Sequence, residues 1–270
     1  MFGDRGIELK TPEQIEGMRL AGLVVGRTLE MLRDVAQPGL TTGELDAAAE
    51  THIRQLGATP SFLGYHGFTG SICVSVNDEV VHGMPGARVL APGDLVSIDC
   101  GAIVDGWHGD AAISVALGEV PDDVRALMRV TEESMWRGIG AARLGGRVGD
   151  ISTAIETHVR AAGNYGILED YTGHGIGSEM HQPPDVPNFG RGRGPKLVRG
   201  LALAVEPMIT LGSHRTDVLD DEWTVVTTDG SWAAHYEHTF TLTPDGAWVL
   251  TALDGGREQL AALGVPYGGD

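Results

Sequence analysis

The sequence predicts an α+β fold built from two related halves, and three observations carry that expectation. Helical periodicity precedes short apolar strands in each half, and consecutive strands are set to join through hairpins. That is the pattern of helices laid on one face of a mostly antiparallel sheet. A charged helix signature also recurs. Glu50-Thr51-His52-Ile53-Arg54 returns as Glu156-Thr157-His158-Val159-Arg160, a shift of 106 positions, and Gly39, Gly43 and Gly57 fall on Gly145, Gly149 and Gly163 at the same shift. One position of slack then aligns Gly93 with Gly200 and Asp99 with Glu206, and a further insertion sets Asp110 opposite Glu237. Each half supplies one early and one late acid, so a pseudo-two-fold relation would bring four carboxylates to a shared axis. The expected organisation is a single domain over 1–270 with halves at about 11–118 and 119–250.

The elements follow in order. Thr11-Pro12-Glu13-Gln14 starts a helix: Thr11 caps, Pro12 suits the first turn and Gln14 completes a capping box. Ile15, Met18, Val25, Leu29 and Leu32 keep helical spacing to about Ala36, and Pro38-Gly39 stops the run. A second helix follows Thr42 and ends at Gly57. Strands are predicted at Ile72–Val76, Leu95–Ile103 and Ala111–Leu117. The second half opens with helices near Pro121–Ala142 and Asp150–Ala162. Strands near Leu201–Ile209, Trp223–Thr227 and His238–Thr243 complete it. Arg191 to Arg199 is the most irregular stretch.

Composition narrows the function classes. The 42% hydrophobic fraction supports a full core, and no apolar run approaches the ~20 residues of a membrane span. Met1 to Lys10 lacks the basic-then-apolar pattern of a signal peptide. Two cysteines, Cys73 and Cys100, make no disulfide framework and suit a reducing cytoplasm. A net charge of −18 opposes any broad DNA-binding surface.

Asp105-Gly106 between apolar runs is a two-residue hairpin signal. That turn pairs Val104 with Trp107, Gly101 with Asp110 and Asp99 with Ala112, which makes Asp99 and Asp110 diagonal neighbours on one face. Two acids so placed repel unless a cation or proton lies between them. Glu206 closes the apolar run Leu201 to Val205, and Glu237 lies in Tyr236-Glu237-His238. Taken singly, each glutamate also suits an exposed strand end. His174 lies in a Gly-rich bend, Gly173-His174-Gly175-Ile176-Gly177, with His181 at the far side of the same loop. His82 ends the apolar run Val80-Val81, and the repeat places Asn188 opposite it. A loop histidine taken alone is equally a solvated one, and His52 and His158 are expected to be structural or solvent-facing. Four acids and an imidazole form a donor set suited to a hydrolytic metal pair.

Several motifs in order resemble the type I methionine aminopeptidases, in a bacterial form of actinobacterial type. They are Leu63-Gly64-Tyr65-His66-Gly67, Ser75 through Gly83, Ile98-Asp99, His108-Gly109-Asp110, Gly173 through Gly177, Glu206-Pro207-Met208, Trp223-Thr224-Val225 and Tyr236-Glu237-His238-Thr239. The likeness runs from Thr11 to about Leu250. It implies the pita-bread fold, a pseudo-two-fold duplicated antiparallel sheet covered by helices. It also implies removal of the initiator methionine from nascent proteins when the second residue is small.

The resemblance assigns roles residue by residue. Asp110, His174, Glu206 and Glu237 would hold one divalent ion, and Asp99, Asp110 and Glu237 the other, the ions being Co, Mn, Fe or Zn. Glu206 would move the proton of the attacking water. His181 would bond the carbonyl side of the scissile peptide and His82 its nitrogen. Tyr65, Phe62, Phe68, Cys73, Met180 and Trp223 would line the methionine pocket. Four positions depart from the usual pattern. Phe62 stands where cysteine is frequent, Phe68 where an aromatic hydroxyl is, Met180 where phenylalanine is, and His235 where glutamine is. All four read as pocket or rim changes.

The resemblance further implies a monomer acting on nascent polypeptide N-termini in the cytoplasm, with no DNA or membrane partner. The dense basic stretch Arg191 to Arg199 would carry any transient ribosome contact, with a solubilising loop as its alternative. Bulky Phe2 is expected to keep Met1 uncleaved. The competing readings are a proline-specific peptidase of the same fold, and a non-catalytic peptide-binding relative.

Overall fold

The structure is a computed structural model that describes residues 6–190 and 193–269. The expectations for Met1, Phe2 and Arg191 lie outside the described residues. In chain order the elements are α1 (Pro12–Val35), α2 (Thr42–Gln55), β1 (Thr59–Pro60), β2 (Ile72–Val76), β3 (Glu79–Val81), β4 (Leu95–Val104), β5 (Trp107–Ala116), α3 (Asp122–Ala141) and α4 (Val148–Ala162). They continue with β6 (Gly166–Ile167), β7 (Gly173–Gly175), β8 (Gln182–Val186), β9 (Ala202–Val205), β10 (Met208–Thr210), β11 (Thr216–Val218), β12 (Val225–Thr227), β13 (Ala233–His235), β14 (Glu237–Thr243), β15 (Gly246–Val249) and α5 (Arg257–Ala262). Among the described residues no helix is long and apolar enough to cross a membrane.

α1 begins at the capping box read from the sequence, with Thr11 accepting from the Gln14 N–H and the Gln14 side chain accepting from the Thr11 N–H. Among the described residues the principal sheet has nine strands, in the order β1-β4-β5-β14-β9-β7-β8, with β2 paired to β4 and β15 to β14. Its ladders are antiparallel. β2–β4–β5 lies on one side of the central β5·β14 pair and β14–β9–β7 on the other. Two three-stranded sheets, β13-β10-β6 and β11-β12-β3, complete the fold.

Side-chain parity divides each central strand between two faces. Val96, Ile98, Cys100 and Ala102 of β4, with Ala111 and Ile113 of β5, pack into an apolar core with α1 and α2 residues such as Val25, Leu32, Leu45 and Ile53. Leu203 and Val205 of β9, with Phe240 and Leu242 of β14, do the same with Leu127, Ile139, Ile151 and Ile155 of α3 and α4. The opposite face carries the acids.

Three sequence expectations change in the structure. The strand expected over Leu201–Ile209 is two, because Glu206-Pro207 interrupts it. Proline has no N–H to continue the ladder and restricts the residue before it, so β9 stays in the principal sheet while β10 joins the sheet of β13. The strand expected from Trp223 begins at Val225. The glycine-rich bend around His174 is strand β7. A Cβ on Gly173 would fall 2.3 Å from the Ala204 carbonyl oxygen, and one on Gly175 would fall 2.3 Å from that of Pro183. Glycine there lets β9 and β8 close on both sides of β7. The stretch read as irregular is partly ordered: the Leu197 N–H donates to the Gly146 carbonyl and the Leu197 carbonyl accepts from the Gly145 N–H across the α3–α4 turn, and Lys196 bridges to Arg147.

Candidate active site

The Asp105-Gly106 turn gives the register expected from the sequence: Val104 opposite Trp107, Gly101 opposite Asp110, Asp99 opposite Ala112. Ala112 in turn faces Glu237 across the β5·β14 junction. Continuing the His238·Val205 pairing by one residue brings Glu206 opposite Glu237. Asp99, Ala112, Glu237 and Glu206 therefore form a row across the sheet, with Asp110 diagonal to it. Thr239, fully buried, locks the Asp110 backbone: the Asp110 N–H donates to Thr239 Oγ1 at 3.2 Å, and Thr239 Oγ1 donates to the Asp110 carbonyl at 2.8 Å.

His174 comes from β7, its Nε2 3.3 Å from Glu206 Oε1. Its Nδ1–H donates to the Gly175 carbonyl at 2.9 Å, which fixes the tautomer and leaves the Nε2 lone pair facing the acids. The His181 ring lies 4.3 Å from that of His174, edge to face, and Tyr65 Oη lies 2.9 Å from His181 Nδ1. His82 adopts a left-handed backbone at φ 58 and packs edge-on between Tyr171 and Trp223. A Cβ on the following Gly83 would fall 2.3 Å from the Val74 carbonyl, so only glycine allows that turn against β2.

Burial sets the electrostatics. It pushes the Asp99 carboxyl up to about 7 against the opposing hydrogen bond from Asp110. Burial first, then the neighbouring acids, raises Asp110, Glu206 and Glu237 well above the ordinary carboxylate range. The histidines move the other way. Burial lowers His174 to about 3 and His82 to about 4, and it lowers His181 as well, so the imidazoles are neutral near pH 7. Among the described residues, Asp99 Oδ1, Asp110 Oδ1 and Glu237 Oε1 are buried with no hydrogen-bond partner. Buried acceptors of this kind require a cation or proton. Ligand atoms of Asp110, His174 and Glu237 all lie within 4.8 Å of one another, so the residues fit a divalent ion.

A cavity of about 130 Å³ joins this cluster to an apolar pocket. Phe62, Phe68, Cys73 and Met180 are buried together there with Tyr65 and Trp223 at the edge, and the Phe68 and Trp223 rings meet edge to face at 5.1 Å. Every site residue expected from the sequence lines this one cavity: Phe62, Tyr65, Phe68, Cys73, His82, Asp99, Asp110, His174, Met180, His181, Glu206, Trp223 and Glu237. A wider cleft of about 450 Å³ opens from it past Tyr171, Gln182 and Asp185.

Of the two alternatives, pocket or rim, the structure places His235 in the wall of the wider cleft. It is 2% exposed, with Nε2 3.8 Å from Glu206 Oε2. The Tyr65–His181 contact and the Thr239 lock were also missed. Only the Tyr236-Glu237-His238-Thr239 motif hinted at the second, since it placed Thr239 beside a ligand position.

Comparison with known proteins identifies the family. The model of metallopeptidase family M24 matches residues 16–244. Methionine aminopeptidase 1 of Mycobacterium tuberculosis is 53% identical over 256 residues, covering 92% of this chain and 96% of the relative. Methionine aminopeptidase of Clostridium acetobutylicum is 51% identical over 250 residues, covering 92% and 100%. The crystal structure of methionine aminopeptidase from Thermotoga maritima superposes with a TM-score of 0.89 at 42% identity, covering 91% of this chain and 99% of that one. Prolidase from Pyrococcus furiosus shares the fold at a TM-score of 0.73 and 21% identity, with 90% and 65% covered. Its carboxylate–imidazole cluster is a candidate site for a divalent ion, and the chain belongs to metallopeptidase family M24 and, within it, to the bacterial methionine aminopeptidases.

Proposed function

We propose that this chain hydrolyses the first peptide bond of proteins that begin with methionine and carry a small second residue, using two divalent ions drawn from Co, Mn, Fe and Zn. The observation that carries the reading is the single cavity in which an apolar pocket and a cluster of partnerless buried carboxylates meet. Asp110, His174, Glu206 and Glu237 hold one ion, and Asp99, Asp110 and Glu237 the other. The bound ions would supply Lewis acidity and an acidified water at neutral pH.

The chain's own groups do the rest. Phe62, Phe68, Cys73, Met180 and Trp223 offer apolar walls suited to a flexible thioether. Glu206 accepts the proton of the attacking water and returns it to the departing amine. His181, oriented by Tyr65 at its Nδ1, presents its other nitrogen toward the substrate carbonyl. His82, neutral and held between Tyr171 and Trp223, bonds the scissile nitrogen.

The two halves, about 11–118 and 119–250, act as one catalytic domain, because each contributes acids to the row. The enzyme works as a monomer in the cytoplasm on emerging chains, without DNA or membrane. Arg193, Lys196 and Arg199, exposed beside Arg147, form its ribosome-facing surface. Unchanged ribosome co-sedimentation at low salt after Arg193→Ser and Lys196→Ser would remove that surface from the account. The reaction is tested with peptides beginning Met-Gly, Met-Ala, Met-Val and Met-Phe. Turnover should fall steeply with the size of the second residue, and equal cleavage of Met-Phe and Met-Ala would contradict the proposed specificity.

A further inference from the structure

A second imidazole enters the acid cluster. His235 ends β13, where it pairs with Met208 of β10. Ser114 Oγ accepts from the His235 N–H at 3.0 Å and donates to its carbonyl at 2.9 Å, so the backbone is held on both sides. The ring is 2% exposed, and Nε2 is buried with no hydrogen-bond partner among the described residues. A ring nitrogen stripped of water in this way requires an ion or a donor.

The nearest group is Glu206 Oε2 at 3.8 Å, too long for a hydrogen bond. That distance lies within the ~4 Å that two ligands each about 2 Å from a common ion can span. Ligand atoms of Glu206, His235 and Glu237 lie within 4.8 Å of one another, as do those of Asp110, His174 and Glu237. The two groups have the same composition, two carboxylates and one imidazole, and share Glu237.

We infer that His235 Nε2 is a ligand of the ion bound beside Glu206 and Glu237, giving the metal centre two imidazoles. The inference rests on the metal-centre reading above. A second nitrogen donor tilts the site toward ions that favour imidazole, such as Zn or Co, and away from Mn.

The test adds cadmium-113 to metal-free protein carrying nitrogen-15 histidine and reads which ring nitrogens are split by coupling to the metal. Splitting at both His174 and His235 is expected in the wild type, and at His174 alone in His235→Gln. Splitting at His174 but not at His235 in the wild type overturns the inference and leaves the metal centre standing. No splitting at either ring overturns the metal-centre reading and the inference with it. Because the wild-type spectrum decides between these outcomes, failure of the variant to fold does not obscure the result. In the folded variant, Co²⁺ should bind about 10-fold or more weakly, and equal affinity would count against ligation.

Discussion

Glu8→Gln tests how the chain ahead of α1 holds the loop that carries His181. Glu8 Oε2 accepts from the Ser178 N–H at 3.1 Å and from Gln182 Nε2 at 2.9 Å, and Oε1 accepts from Ser178 Oγ at 2.8 Å. Lys10, whose side chain is 1% exposed, places Nζ 3.4 Å from the same carboxylate and donates to Gln182 Oε1 at 3.2 Å. Partial burial works against the charged form of Glu8. The Ser178 and Gln182 bonds and the Lys10 charge outweigh it and hold the carboxyl at about 2, against an ordinary 4.5. Taken at face value the difference corresponds to ~3 kcal/mol. The Glu8 side chain is 32% exposed, so solvent screening reduces this to ~1–2 kcal/mol.

The sign follows from the depressed value. The contribution is complete above about 4.5 and fades as pH falls toward about 2. Urea unfolding of metal-free protein should show Glu8→Gln less stable by ~1–2 kcal/mol at pH 7, with the deficit falling to about half or less at pH 3. A deficit of equal size at both pH values, or none at pH 7, would refute the reasoning. Since the strap restrains the segment between His174 and His181, kcat/KM should also fall in this variant without a change in metal content.

Asp110→Asn removes a charge common to both proposed ion sites. Metal stoichiometry should drop and turnover should fall by ~10³-fold or more, with helical circular dichroism unchanged, and near wild-type turnover at low metal would contradict the shared role. His82→Ala should lower kcat/KM by ~10²-fold while metal content, measured by elemental analysis, stays the same. Loss of metal from that variant would move His82 into the coordination shell.

The central register was legible because one turn determines it. Asp105-Gly106 puts Asp99 and Asp110 on the same face by parity alone, and the apolar neighbours Val96, Ile98 and Ile113 assign that face away from the helices. The acids of the second half were found through the repeat. Other features depend on contacts between segments distant in sequence. β7 exists because two carbonyls approach Gly173 and Gly175, and no local periodicity encodes that approach. His235 reads only as a pocket or rim change, and its closeness to Glu206 follows from the break at Pro207 that carries β10 into the sheet of β13. The Pro207 break itself was readable, but the apolar residues on both sides masked it. The Glu8–Lys10 strap joins residues about 170 apart through polar contacts, which leave no hydrophobic pattern.

The most direct test of the account is methionine release from a Met-Ala-Ser peptide by metal-free protein titrated with Mn²⁺, Co²⁺, Fe²⁺ or Zn²⁺, alongside a peptide with proline second. The account predicts no release without metal, release that rises with ions bound in the carboxylate cluster, and no requirement for proline. Release that persists in chelator, cleavage confined to bonds before proline, or tight peptide binding without turnover would contradict it.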